Sequence, residues 1–80
     1  MVLWRIYRLD DGMTAESAVI QDTGSDPVED AGAVCRALAA RYGVVADLVP
    51  VPLSGGRTLW TMDGRTDTGK RLQIHAWVVN

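Results

Sequence analysis

The sequence predicts an α+β fold, a mostly antiparallel sheet in the order ββαβββ with one helix packed on one face. Three observations carry this. "LWRIYRL" (3–9) and "RLQIHAWVV" (71–79) alternate apolar and polar residues with the period of two that belongs to strands. "SDPVEDAGAVCRALAARYG" (25–43) instead repeats its apolar residues at helical spacing. Turn-forming clusters, "DDG", "SGG" and "DGRTDTGK", separate the alternating runs, and one helix among short-linked strands calls for a largely antiparallel sheet.

Each element follows from its residues. In the first strand Val2, Trp4 and Ile6 share one face and Leu3, Arg5 and Tyr7 the other. Asp11-Gly12 accepts the positive φ angles of a hairpin turn. The return strand is expected at about 13–22, with Ala18 and Ile20 on its buried side and Val19 leaving the register open. A helix is expected over 27–42. Asp26 is its cap, Pro27 its first residue, Glu29 the third-position partner of a capping box, and Gly43 its terminator. Acidic residues at its start and Arg41 at its end suit the helix dipole. Val28, Ala31, Val34, Cys35, Leu38 and Tyr42 form its apolar stripe, while Gly32 and the alanines let it lie close to a sheet.

"VVADLVPVPL" (44–53) reads as a strand in which Pro50 and Pro52 share parity. Both missing N–H groups then face one lateral neighbour, which places that end of the strand at a sheet edge or outside the sheet. "SGG" (54–56) turns the chain, "RTLWTM" (57–62) returns, and a loop of about seven residues precedes the last strand. There Leu72, Ile74, Ala76 and Val78 face one way, and Gln73, His75 and Trp77 the other.

The chain has 80 residues, which suits a single α+β domain over 1–80. Its formal charge of −2 offers no general attraction to nucleic acid or anionic lipid. Residues 1–40 carry three arginines against seven acidic residues, whereas residues 41–80 carry five basic residues against three acidic ones. No signal peptide or membrane-spanning run is visible, and the lone Cys35 suits a reducing compartment. The expected location is the cytoplasm of a bacterial host cell.

Catalytic constellations are not found. "DGRTDTGKRL" (63–72) lacks one hydroxyl of a phosphate-binding P-loop, since Arg71 stands where Ser or Thr belongs. That motif needs a strand before the glycines and a helix after them to present N–H groups to phosphate, but here an alternating strand follows Lys70, so the segment reads as a hairpin. His75 has no identifiable nucleophile or carboxylate partner, one His and one Cys make no metal site, and Cys35 points to the core. No cofactor or metal is expected, and the chain does not read as an enzyme.

The sheet face away from the helix is more informative. One 16-residue helix spans about 24 Å and covers one side only. The other side should carry Arg5, Tyr7, Gln73, His75 and Trp77, with Leu59 or Trp60. Interleaved basic and aromatic residues on an open sheet can bind single-stranded RNA, but Trp, Tyr and Arg are also the residues of protein-binding hot spots. The acidic composition favours a protein partner, and the half-covered sheet also suits a homodimer. The expected contact residues are Arg5, Tyr7, Trp77 and Arg71, with the acidic helix start at Asp26, Glu29 and Asp30 as a second group.

"GSDPVEDAGAVCRALAARYG", an Ala-rich helix after a paired hairpin, and "LWTMDGRTDTGKRLQIHAWVVN", a closing hairpin, together resemble small phage-encoded anti-CRISPR proteins. The resemblance spans nearly the whole chain in architecture and carries no diagnostic motif. It implies inhibition by binding: occupation of a surface on an RNA-guided effector complex that would otherwise hold target DNA or recruit a nuclease. It transfers no functional residue. The opening strand–strand–helix–strand order also resembles the antitoxins of small toxin–antitoxin pairs, whose usual DNA-binding extension this sequence does not show.

Overall fold

In the computed structural model, residues 1–9 and 18–79 are described. Five strands, β1 (Val2–Leu9), β2 (Val19–Asp26), β3 (Val49–Pro52), β4 (Thr58–Arg65) and β5 (Arg71–Val78), form one sheet in the order β2-β1-β5-β4-β3. Every neighbouring pair is antiparallel. The one α-helix among the described residues, α1 (Ala31–Tyr42), lies between β2 and β3 in sequence, so the ββαβββ architecture is as expected. Strands from the two ends of the chain meet at the centre, paired from Val2↔Val78 to Leu9↔Arg71. The expected Asp11-Gly12 turn and the start of its return strand lie outside the described residues.

The parities read from the sequence build the core. Ile6, Ile74 and Met62 align across β1, β5 and β4 beneath Ala31, Val34, Cys35, Leu38 and Ala39 of α1. Ala76 sits between Trp4 and Trp60, its partners on either side. The small residue keeps the two indoles from lifting the helix off the sheet. Gly32 is not needed for this approach: a Cβ there would stand at ordinary contact distance, 3.4 Å from Leu48 Cδ2 and 3.7 Å from Trp60 Cδ2. Each large aliphatic side chain buried here contributes about 1.5–3 kcal/mol.

The helix starts later than expected. Asp26 is still in β2, paired with Val2, so it is not available as the cap. Residues 27–30 carry the chain from sheet to helix, and Asp30 takes the capping role, its Oδ1 accepting from the Ala33 N–H at 3.0 Å. Pro27 and Glu29 consequently lie before the helix, and Val28 is 43% exposed instead of joining the apolar stripe. At the other end Gly43 terminates α1 as expected. It adopts φ 69°, its N–H bonds Ala40 O at 3.3 Å, and the Val44 N–H bonds Ala39 O at 2.8 Å.

β2 also departs from the expected bounds, running to Asp26. A bulge between its Asp22 pairing with Ile6 and its Ile20 pairing with Tyr7 inserts one extra residue. Asp22, Gly24 and Asp26 therefore share the helix side of the sheet with Ile6, Trp4 and Val2, while Ile20 lies beside Tyr7 on the opposite face. Ile20 is 53% exposed, not buried. Gly24 is required because a Cβ at that position would come within 2.8 Å of Trp4 Cε2. Tyr42 ties the helix end to this strand by donating to Asp22 Oδ2 at 3.1 Å.

Both sheet edges are blunted. The Leu53 N–H donates to Arg57 O at 2.8 Å, so alternate residues of β3 bond β4 and the nitrogens of Pro50 and Pro52 face outward. Of the two expected placements, edge or outside the sheet, the edge is the one observed, although the strand itself spans four residues and 44–48 are irregular. On the far side, the Val79 N–H to Met1 O bond sets the odd residues of β1 toward β5 and its even residues toward β2. Thr23 and Ser25 of β2 then face outward, and the Thr23 N–H is held at 2.9 Å by Asp22 Oδ1. Prolines on one edge, a bulge and a carboxylate on the other, hinder strand addition.

The P-loop-like segment is a hairpin. Gly64 lies in β4 opposite Leu72, and the connection covers 66–70, shorter than expected because β4 continues to Arg65. The Thr66 N–H donates to Lys70 O at 2.8 Å, the Gly69 N–H to Thr66 O at 2.9 Å, and Gly69 holds φ 84°. β5 follows at once, where a phosphate cradle would need a helix.

Candidate partner surface

The uncovered sheet face is ordered in cross-strand rows. Leu3 stands opposite Trp77, and Val51 opposite Leu59. In the next row Thr23, Arg5, His75, Thr61 and Val49 run across all five strands. Ile20, Tyr7, Gln73 and Asp63 form the third. One end of the face is thus apolar and the other polar.

Side chains of neighbouring rows hold one another. The Arg5 guanidinium lies over the Trp77 ring, 5.6 Å from its centroid, a cation–π contact. Tyr7 meets His75 edge-on, with ring centroids 5.0 Å apart and planes inclined at 61°. Arg71 grips Asp63 bidentately, Nε to Oδ1 at 3.1 Å and Nη2 to Oδ2 at 2.8 Å, and Gln73 Nε2 adds a bond to Oδ2 at 3.2 Å. The Arg71 hydrogen bond holds the Asp63 carboxyl below its usual range against the opposing effect of burial. Burial, helped by the nearby Arg5 charge, depresses the His75 pKa, so the imidazole is neutral near pH 7.

At the apolar end a depression of ≈ 300 Å³ is lined by Tyr7, Leu53, Leu59, His75, Trp77 and Arg57. Val49, Val51 and Leu53 beside it are 48%, 38% and 43% exposed, a contiguous apolar border next to the aromatic rings.

The sequence-derived contact residues fall into two places. Arg5, Tyr7, Trp77 and Arg71 come together on the open face, and so does Leu59. Trp60 does not: it packs against the core under α1. Arg71 is committed to Asp63, which makes it a support for the face more than a probe reaching from it. Asp26, Glu29 and Asp30 lie apart, at the passage from β2 to α1, and Asp30 is occupied as the helix cap. The Asp63–Gln73 support and the exposed Val49–Leu53 border were not anticipated. Strand parity relative to Pro50 and Pro52 would have found the valines.

Among the described residues no group of three His, Cys, Asp or Glu side chains could hold a metal ion. Cys35 is fully buried, its thiol directed at Ile74 O (3.7 Å) and Trp60 O (3.9 Å), and burial raises its pKa to about 11. No helix among the described residues is long and apolar enough to cross a membrane.

Fold and surface together define a small α+β domain with one helix-covered and one open sheet face. No family model, curated protein or solved structure matches the chain.

Proposed function

We propose that this protein is a non-catalytic binding protein that acts by laying its open sheet face on another protein. The observation that carries this reading is the preassembled Arg5–Trp77 and Tyr7–His75 cluster beside an exposed apolar depression, on a sheet whose two edges are blunted. Trp, Tyr and Arg dominate binding hot spots, and side chains already held by neighbours lose less entropy on docking. A face read by its rows suits a partner surface better than a strand added at an edge. Base stacking on Trp77 would compete with Arg5, which lies over that ring, and this favours protein over single-stranded RNA.

The architectural resemblance to small anti-CRISPR proteins supplies the target class: a bacterial CRISPR effector complex whose nucleic-acid- or nuclease-binding surface is occupied, inside the cytoplasm. The test is affinity capture from a lysate containing such a complex, with mass spectrometry and RNA sequencing of what is retained. Effector subunits, lost with Trp77→Ala, are the expected result. Truncating a hot-spot residue of this kind costs about 2 kcal/mol, roughly 30-fold in affinity. RNA alone, retained with strong salt dependence, would replace this reading with RNA binding. A small ribonuclease toxin would replace it with the antitoxin reading.

A further inference from the structure

The open face is uneven in charge as well as in polarity. Among the described residues of its cross-strand rows Asp63 is the only carboxylate, and Arg71 grips it at 2.8 Å, so this pair adds no net charge. His75 is neutral near pH 7. What remains is positive and sits at the apolar end. Arg57 lines the depression of ≈ 300 Å³ with Leu53, Leu59, Tyr7, His75 and Trp77, and Arg5 lies over the Trp77 ring. Both arginines are exposed, and the Arg57 side chain has no hydrogen-bond or ion-pair partner among the described residues. No described carboxylate lines the depression.

We propose that the depression receives an apolar side chain from an acidic segment of a protein partner, whose carboxylates beside that anchor meet Arg5 and Arg57. This rests on the reading that the open face docks on another protein, and it names the chemistry of the contact. Two features select the occupant. Leucines and aromatic rings form a lining that favours an aliphatic or aromatic side chain over water. The unmatched cations at its border attract carboxylates and repel basic segments. A second copy of the chain is a poor occupant, because joining two such apolar ends brings the arginines of both copies together with no carboxylate to match them. A nucleic-acid base would find the Trp77 ring already covered by Arg5. A surface that holds nucleic acid is itself basic and would be repelled. Of the two target surfaces named above, this selects the one that recruits a nuclease.

A library of random peptides of about twelve residues, displayed on phage and selected against the native protein, tests this. The selected peptides are expected to carry a Leu, Ile, Phe or Trp with Asp or Glu beside it. Made synthetically, they should bind about 10-fold more weakly to Arg57→Glu and about 30-fold more weakly to Trp77→Ala. Replacing their carboxylates by lysine should reverse the preference, so that Arg57→Glu binds better than the native chain. Arg57 is exposed, so Arg57→Glu should keep the native urea midpoint. Peptides that need Trp77 but are neutral or basic, or that bind Arg57→Glu as well as the native chain, overturn this inference and leave the open-face reading standing. Peptides indifferent to Trp77→Ala, or no selected peptide at all, remove both. Oligouridine binding that Trp77→Ala abolishes overturns the proposal in favour of RNA. A dimer at about 200 µM that Trp77→Ala dissolves overturns it in favour of a second copy.

Discussion

His75, Cys35 and Gly24 each hold a property that one measurement isolates. His75 has a folded-state pKa depressed by burial and by Arg5, so the unfolded chain takes up the proton first. Its contribution to stability is complete above the ordinary histidine value of about 6.5 and is lost as the pH falls from there through the lower folded value. Urea midpoints should therefore drop as the pH falls below about 6.5, and His75→Asn should flatten that slope. Asp63, also depressed, contributes above the ordinary carboxylate value of about 3.9 and loses that contribution only in stronger acid, which separates the two groups. Cys35, with its pKa raised to about 11 and no exposed surface, should react with a disulfide reagent only at the rate of unfolding. Full modification of the native protein within seconds would contradict its burial. Gly24→Ala pushes a methyl group into the Trp4 ring. A loss of about 1–3 kcal/mol in urea unfolding is expected.

At the level of elements, the beginning of α1 shows how a tertiary link moves a boundary. Asp26 has the better sequence credentials as a cap, with Pro27 after it and Glu29 three residues on, yet its backbone belongs to the β1–β2 ladder. Asp30→Ala should cost about 1 kcal/mol through the lost Ala33 bond, and Asp26→Ala should leave the helix intact. Equal losses from both, read by circular dichroism and urea denaturation, would argue for a helix beginning at Pro27. The β4–β5 hairpin offers a contrasting case. Its Arg71–Asp63 pair has bidentate geometry, but both side chains are more than a third exposed, so water screens the pair and Arg71→Ala should leave the urea midpoint nearly unchanged. The pair's use is to order the polar end of the face. The expectation of a hairpin in place of a P-loop was legible because alternation restarts at Arg71, and β5 begins there.

For the whole molecule, one helix on a five-stranded sheet leaves two unequal surfaces: a flat face of rings and arginines, and a narrow groove beside α1. Trp77→Ala should lower affinity for a protein target and leave the urea midpoint little changed, because the ring stands on the open face and outside the buried core. Calorimetry against the captured target and urea denaturation of the variant check this.

The sequence by itself determined the element order, the inward parity of β1 and β5, the Gly43 stop and the proline-marked edge. These depend on local chemistry: side-chain period, the positive φ open to glycine, and the missing N–H of proline. It also placed Arg5, Tyr7, Trp77 and Arg71 on one face, because parity survives wherever a strand is regular. Tertiary structure alone decided the β2 bulge that sends Ile20 outward, the later helix start, the packing of the partly buried Trp60 against the core and the exposure of Val28. It also decided the groove beside α1. Each of these depends on which strand lies next to which: the register of β2 against β1, and the lateral position of one helix on a sheet wider than itself, arise from contacts between residues distant in the chain.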